Sequence, residues 1–541
     1  MQTTFAGTYA NPAAATLQRN GAIVVAGVTQ AGDGNIATVV RYRPNGSLDP
    51  SFGKGGVVKT AYAKGFQVEA VTVQADRKIV VAGASFDASF NAYPTLARYR
   101  ANGTLDSGFG TGGIVQAPLA VGRDAAAVLV QRDGKIVVGI TSNGIAVARY
   151  APDGKSLDSS FDGDGVAHVP GDEGGCGTSS ESGTNGVLIA PGPAILARGP
   201  CGGASMTDPE PTGGMLRFRG GATPNDGAFD TTFGSGGATL APFPRPAFAT
   251  GLARLGDGRL VQADQLGSAD SNAGVGLFRT NANGKLDPGF GTNGSVSFKI
   301  GGFANSAPVG LAVAPNGDLV VAAYDGDDHG AFAVARRTLR GAPDVRYASG
   351  GQASLRIGPS GPGFMSSSGA VALVLQSDDR PVVVGTTYKN NHRAFTLVRF
   401  RAPLDRITRL KIKPATILAA AKGPPVTATK KHALGGIVTY VGTEPATTTT
   451  FTVQRSAGPG RVQGGRCVGL SQKNRHHKRC TRYSNLGSFK HSDVVGLNRF
   501  RFTGRVHGHT LQPGRYRLRA VPRNSGGSGA PAYVGFHVRS R

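Results

Sequence analysis

The chain of 541 residues has no Trp, only four Cys and four Met, and 7% aromatic residues. No run approaches the ~18 to 20 apolar residues of a membrane-spanning helix, and no segment carries coiled-coil heptads. Residues Met1 to Tyr9 lack the basic and apolar regions of a signal peptide; they read instead as a strand of the first repeat. The C-terminal quarter is nearly devoid of negative charge. Residues 406–541 hold 25 Lys and Arg against 2 Asp and Glu, whereas residues 1–405 hold 34 against 31. The net charge of +26 therefore belongs to the C-terminal segment, and any polyanion argument applies there.

What the chain has in abundance is Gly, at 83 residues, and a repeated segment. Its clearest copies are Arg41-Tyr42-Arg43-Pro44-Asn45-Gly46-Ser47-Leu48-Asp49-Pro50-Ser51-Phe52-Gly53 and Arg98-Tyr99-Arg100-Ala101-Asn102-Gly103-Thr104-Leu105-Asp106-Ser107-Gly108-Phe109-Gly110. The aromatic recurs at Phe52, Phe109, Phe161, Phe233, Phe290 and Tyr347, mostly 57 residues apart. A fixed period in this range means one supersecondary unit copied until neighbours bury each other's apolar faces. The second unit shows four short apolar runs, Val57–Ala61, Ala70–Gln74, Ile79–Ser85 and Thr95–Arg100. They are rich in Val, Ile, Ala and Thr and bounded by Gly, Asn and Asp, which predicts strands. Turns such as Arg132-Asp133-Gly134-Lys135 supply the positive φ of a tight hairpin. Seven such turns, and seven aspartates at Asp49, Asp106, Asp158, Asp230, Asp287, Asp344 and Asp405, predict an all-β, seven-bladed β-propeller over residues 1–405. Met1–Thr8 is expected to add a strand beside Val371–Gln376 or the last blade's neighbours. A β-solenoid is the alternative.

The paired motifs Gln-x-Asp-Gly-Lys-Ile and Leu-Asp-x-x-Phe-Gly resemble the delta-60 repeat, a bacterial β-propeller family of unestablished function. The fourth copy departs from it with Ala190-Pro191-Gly192-Pro193, and the sixth with Tyr347-Ala348. The resemblance implies a propeller and no activity.

An aspartate present in every copy does the same work in every copy. It is expected to close an Asx-turn, with the aromatic wedged on the next blade and the following Gly in a conformation closed to other residues. Function then falls where copies differ. The hairpin turns and Leu-Asp linkers open on one face. The variable loops open on the other and form the expected binding surface. Asp264, Asp270, Asp325, Asp327, Asp328 and His329 are its binding candidates. Ca²⁺ is the one cofactor such acidic loops would suit, although their spacing is not that of an EF-hand. Adjacent Asp327 and Asp328 point apart in an extended segment, which argues against a glycosidase pair. No catalytic group is assigned; His168, His329 and His392 are scattered.

Cys176 and Cys201 fall in two loops of blade four on one face, and Cys467 and Cys480 bracket a basic segment, so two local disulfides are expected. A zinc site from Cys467, His476, His477 and Cys480 lacks the usual ligand spacing. The pairing implies an oxidising, extracellular or cell-envelope setting. Residues 406–541 read as alternating strands of a β-sandwich, and Leu511-Gln512-Pro513-Gly514-Arg515-Tyr516 resembles the tyrosine corner of immunoglobulin-like modules. The module resembles the basic immunoglobulin-like tails of secreted proteins from high-GC Gram-positive bacteria. Arg466, Lys473, Arg475, Lys478, Arg479 and Arg482 are its polyanion-binding candidates. The loop has no interleaved aromatics and no reading helix, which disfavours sequence-specific nucleic-acid recognition. A plain solvated basic surface is the competing reading. The expectation is a monomeric, non-catalytic binding protein whose partner is an anionic wall polymer, polysaccharide or protein. The alternative is a secreted polysaccharide hydrolase or lyase using the variable face.

Overall fold

The computed structural model describes residues 1–541 apart from 6–8, 32–33, 63–64, 90, 117–123, 143, 170–185, 190–193, 202–211, 221–225, 244–246, 268–273, 302–305, 326–330, 358–368, 390–391, 428–433, 465 and 541. Among the described residues it is all-β but for a three-residue 3-10 turn at Gln472–Asn474, and it forms two compact units. One comprises Met1–Gln376 and Pro381–Phe400, the other Ser377–Arg380 and Arg401–Arg541.

Among the described residues, the first unit contains seven four-stranded antiparallel sheets. The second sheet is typical: Phe66–Val73, Ile79–Phe86, Ala92–Tyr99 and Ile114–Gln116, each paired with the next. Its two middle strands are buried on both faces because a neighbouring sheet covers each side, so Ile79-Val80-Val81-Ala82 reads as one apolar run. First strands of successive sheets pack on one another, and the cycle returns from Gly369–Leu375 to Ala10–Leu17. Six of these first strands carry a one-residue bulge at the same ladder position.

Two expectations change in detail. Val57–Thr60 closes the preceding sheet, beside Gly34–Tyr42, so each sheet takes three strands from one repeat and its last from the next. The N-terminal strand, Gln2–Thr4, pairs with His392–Arg399 rather than lying beside Val371–Gln376. It completes the last sheet as its fourth strand, which joins the two chain ends of the unit.

In the second unit, Ile407–Lys413, Gly436–Gly442, Gly496–Phe502 and Val426–Thr427 form one sheet. Ala532–Val538, Gly514–Asn524, Thr448–Gln463 and Arg479–Ser492 are the main strands of another. Tyr440, Phe451, Phe489, Phe500, Phe502 and Phe536 fill the core between them. The Tyr516 hydroxyl donates to the Gln512 carbonyl at 2.6 Å, the bond that a tyrosine corner makes. Asp405 belongs to this unit, not to the repeats. Its Oδ1 accepts the Arg406, Thr443 and Glu444 N–H groups and the Thr443 hydroxyl, and no aromatic-Gly pair follows it.

Candidate functional site

The repeated residues assemble into a clamp between neighbouring sheets. In the first copy, Asp49 Oδ1 accepts the Ser51 N–H and hydroxyl, closing the expected Asx-turn. Its Oδ2 accepts Arg41 Nε at 2.8 Å, and the Arg41 guanidinium lies 4.7 Å over the Phe52 ring. Arg41 Nη1 then donates to the Ala101 carbonyl of the next sheet's turn, as the Gly53 N–H does to Asn102. Arg98, Asp106 and Phe109 repeat this toward Pro152; Arg217, Asp230 and Phe233 toward Ala282; Arg279, Asp287 and Phe290 toward Leu339. Arg399 donates to the Pro44 carbonyl and carries the contact from the last sheet to the first. The hairpin turn contributes as well: Lys78 meets Asp106 at 3.3 Å, Lys135 meets Asp158 at 2.8 Å, and Arg259 meets Asp287 at 3.0 Å. In the sixth copy Asp318 replaces that cation, and Arg346 bridges it to Asp344.

Sequence reasoning missed the arginine, whose partner lies eight to thirteen residues away. The position after the aromatic was expected to be closed to all but Gly, yet Asp162 and Ala348 adopt it with φ of 53° and 42°. A cleft of about 410 Å³ opens on this uniform face beside Lys78, Arg98, Gln131 and Pro152. Its arginine is already committed to Asp106 and the Pro152 carbonyl.

The opposite face held most of the candidates. Asp270, Asp327, Asp328 and His329 lie outside the described residues, as do Cys176 and therefore the Cys176–Cys201 pairing. Asp325 ends the strand Leu319–Asp325. Asp264 does not sit on a loop: it lies within Leu260–Leu266 and is fully buried. Gln262 Nε2 donates to its Oδ1 at 2.9 Å, while its Oδ2 and Gln262 Oε1 have no hydrogen-bond partner among the described residues. Burial pushes the carboxyl up to about 7, against the pull of Gln262 and Arg198. Gly213 leaves room for this group, since a Cβ there would stand 2.1 Å from Oδ1.

A second asymmetry was not anticipated. Asn11, Gln67 and Asp124 occupy one ladder position in the first strands of three consecutive sheets, where later sheets place Ala307 and Gly369. Glu69, the bulged residue of its strand, sits beside them; burial first and then Asp124 raise its pKa. His168 and His392 lie on different sheets. Among the described residues no three His, Cys, Asp or Glu side chains cluster closely enough to hold a metal.

In the second unit Cys467 and Cys480 are disulfide-bonded with Cα atoms 6.0 Å apart, so neither is available to zinc. The basic segment is less of a loop than expected, because Arg479, Cys480 and Arg482 belong to the strand Arg479–Ser492. Asn474 pins the remainder: its amide bonds Gly469 O at 2.7 Å and the Ser471 N–H at 2.9 Å. All six basic candidates are exposed, although Arg482 is partly committed to the Ala457 and Pro459 carbonyls.

A unit of small stacked antiparallel sheets with repeated inter-sheet clamps defines a β-propeller. The family described as "Domain of unknown function (DUF5122) beta-propeller" matches residues 18–52, 74–109 and 131–161. Each matched segment ends on a clamp aromatic, at Phe52, Phe109 and Phe161. No curated protein matches the chain. Among solved structures, a luciferin-regenerating enzyme is 10% identical, with 74% of this chain and 94% of that one covered and a TM-score of 0.33. A protein of unknown function from Bacteroides caccae is 12% identical, covering 60% and 92%, with a TM-score of 0.35. One from Dyadobacter fermentans DSM 18053 is 10% identical, covering 74% and 97%, with a TM-score of 0.39. Likenesses at this level carry no functional argument.

Proposed function

We propose that the chain is a non-catalytic extracellular binding protein. In this reading a seven-bladed propeller of the delta-60 repeat type offers its variable-loop face to a ligand, and an immunoglobulin-like C-terminal module holds the protein to anionic envelope polymers. One observation carries it. The two acidic residues among 406–541, Glu444 and Asp493, are both buried. Asp493 is further enclosed by Tyr440, Thr449 and His491. The exposed surface of that segment is therefore cationic without local compensation. The Cys467–Cys480 bond fits an oxidising compartment.

The test is retention of the full chain on an anionic resin. The wild type should be retained and eluted by salt, because exposed charge pairs are screened within about 10 Å at 0.1 M. Replacing Lys473, Arg475, Lys478 and Arg479 with Ser should bring elution to lower salt. Flow-through of the wild type at low salt would end the proposal. A second reading, polysaccharide hydrolysis or elimination, is favoured only by Glu69 beside Asp124. Turnover of a polysaccharide that Glu69→Gln abolishes would put that reading first.

A further inference from the structure

We propose that the outer face of the strand Gly514–Asn524 is a track for an extended polyol-phosphate chain; the inference rests on the anionic-polymer reading above. Tyr516, Leu518 and Ala520 point into the core, so Arg515, Arg517, Arg519 and Arg523 point outward by strand alternation. The neighbouring strands extend the same face. His537 lies opposite Arg515, Tyr533 opposite Arg519, and Lys490 reaches it across Thr450. The face carries no carboxylate, since both acids of residues 406–541 are buried.

The centre of the track is preorganised. The Arg517 guanidinium lies 3.6 Å from the Tyr483 ring centroid and 4.6 Å from that of Tyr533, and its Nε donates to Gln454 Oε1 at 2.7 Å. Arginines two residues apart on a strand repeat at about 7 Å. A polyol-phosphate chain based on glycerol has six backbone bonds per charge. Extended backbone covers three bonds in about 3.3 to 3.6 Å, so that polymer also places one phosphate about every 7 Å. Guanidinium suits phosphate, with two parallel donors per contact. A nucleic-acid strand shares the six-bond repeat but needs aromatic faces for its bases. Here Tyr483 and Tyr533 each stack one face on Arg517, which favours the polymer without bases.

The experiment uses the full chain, with polyglycerol phosphate, single-stranded oligothymidylate and polygalacturonate at matched charge number. Arg515→Ser/Arg519→Ser/Arg523→Ser, checked for unchanged thermal unfolding, removes three contacts of about 0.7 each in the salt slope. Between 50 and 200 mM salt, the wild type should then lose affinity for polyglycerol phosphate about 20-fold more steeply than the variant. Lys473→Ser/Lys478→Ser/Arg479→Ser should lower affinity for all three polymers alike. If the wild type binds polyglycerol phosphate and the strand variant keeps its affinity and salt slope, the track is wrong while the cationic-surface reading survives. Tighter binding of oligothymidylate or polygalacturonate overturns the choice of polymer. Absence of binding to any of the three overturns both.

Discussion

Asp106→Ala is the sharpest probe of the inter-sheet clamp. Asp106 and Arg98 expose only 8% and 7% of their side chains and meet at 2.9 Å. Removing the carboxylate leaves Arg98, still tied to the Pro152 carbonyl and stacked 4.3 Å from Phe109, without its own carboxylate partner and beside the Lys78 ammonium, which keeps Asp76. Breaking a buried pair from one side costs about 3 to 5 kcal/mol. At roughly 2 °C per kcal/mol for a body this large, Tm should fall by about 6 to 10 °C in calorimetry. Asp76→Ala supplies the contrast: Asp76 contacts the same Lys78 at 3.2 Å but is 54% exposed. An exposed pair contributes about 0 to 1 kcal/mol, so Tm should move by no more than about 2 °C. Equal shifts for the two variants, or a change below about 2 °C for Asp106→Ala, would refute the idea that the repeated Arg–Asp pair holds the sheets together.

Three further outcomes follow from the same structure. Asp49, Asp106, Asp158, Asp230 and Asp287 are held below the usual carboxylate range, burial being outweighed by neighbouring hydroxyl, Lys and Arg groups. Depressed acids stabilise the fold above their unfolded pKa and lose that contribution as pH falls through the folded values, so the urea midpoint should drop between about pH 4 and 2; a flat profile there contradicts the assignment. Asp264 has the opposite sign, with burial raising it from 3.8 to about 7. Stability it withholds grows as pH rises between those values, so Asp264→Asn should raise Tm at pH 8 and leave it unchanged at pH 4. Equal effects at both pH values would show that charge is not what is buried. Reducing Cys467–Cys480, a link across 13 residues, should release about 3 kcal/mol of local constraint. Amide exchange should speed up over residues 460–480 but not around Phe451, which lies in the core; uniform acceleration would mean that the disulfide supports the whole unit.

The small antiparallel sheets were legible because their signals are local. A hairpin turn needs positive φ within two residues, and Gly21, Gly134, Gly258 and Gly317 supply it; Arg77 adopts the same sign. The phase of the sheets was not legible. Val57–Thr60 is as apolar as its neighbours, and only its pairing across the Leu-Asp linker decides which sheet it joins. Asp405 misled for a related reason: Leu404-Asp405 copies the motif, but Thr408-Arg409 stands where an aromatic and Gly should come. The strand Arg479–Ser492 escaped notice because Phe489 is its sole buried side chain, so it shows no alternation.

The two kinds of position separate along the strands. The clamps, built from Arg, Asp and aromatic residues, gather at the ends that carry the hairpin turns and Leu-Asp linkers. At the other end, one ladder position of the second strands reads Gly27, Gly83, Ile140, Gly199, Ala323 and Gly385, and only the fifth sheet places a carboxylate there, Asp264. One position earlier, Ala26, Ala82, Gly139, Ala263, Ala322 and Val384 stand against a single cation, Arg198, in the adjoining fourth sheet. Glu69 and Asp124 depart from the pattern at the same end of the first strands. Scaffold requirements are the same in every sheet and are met by the repeated residues. A fully buried aspartate with one oxygen unbonded among the described residues weakens the fold rather than supporting it. Charges that break the repeat, at the end of the sheets opposite the clamps, are therefore where ligand chemistry should be sought.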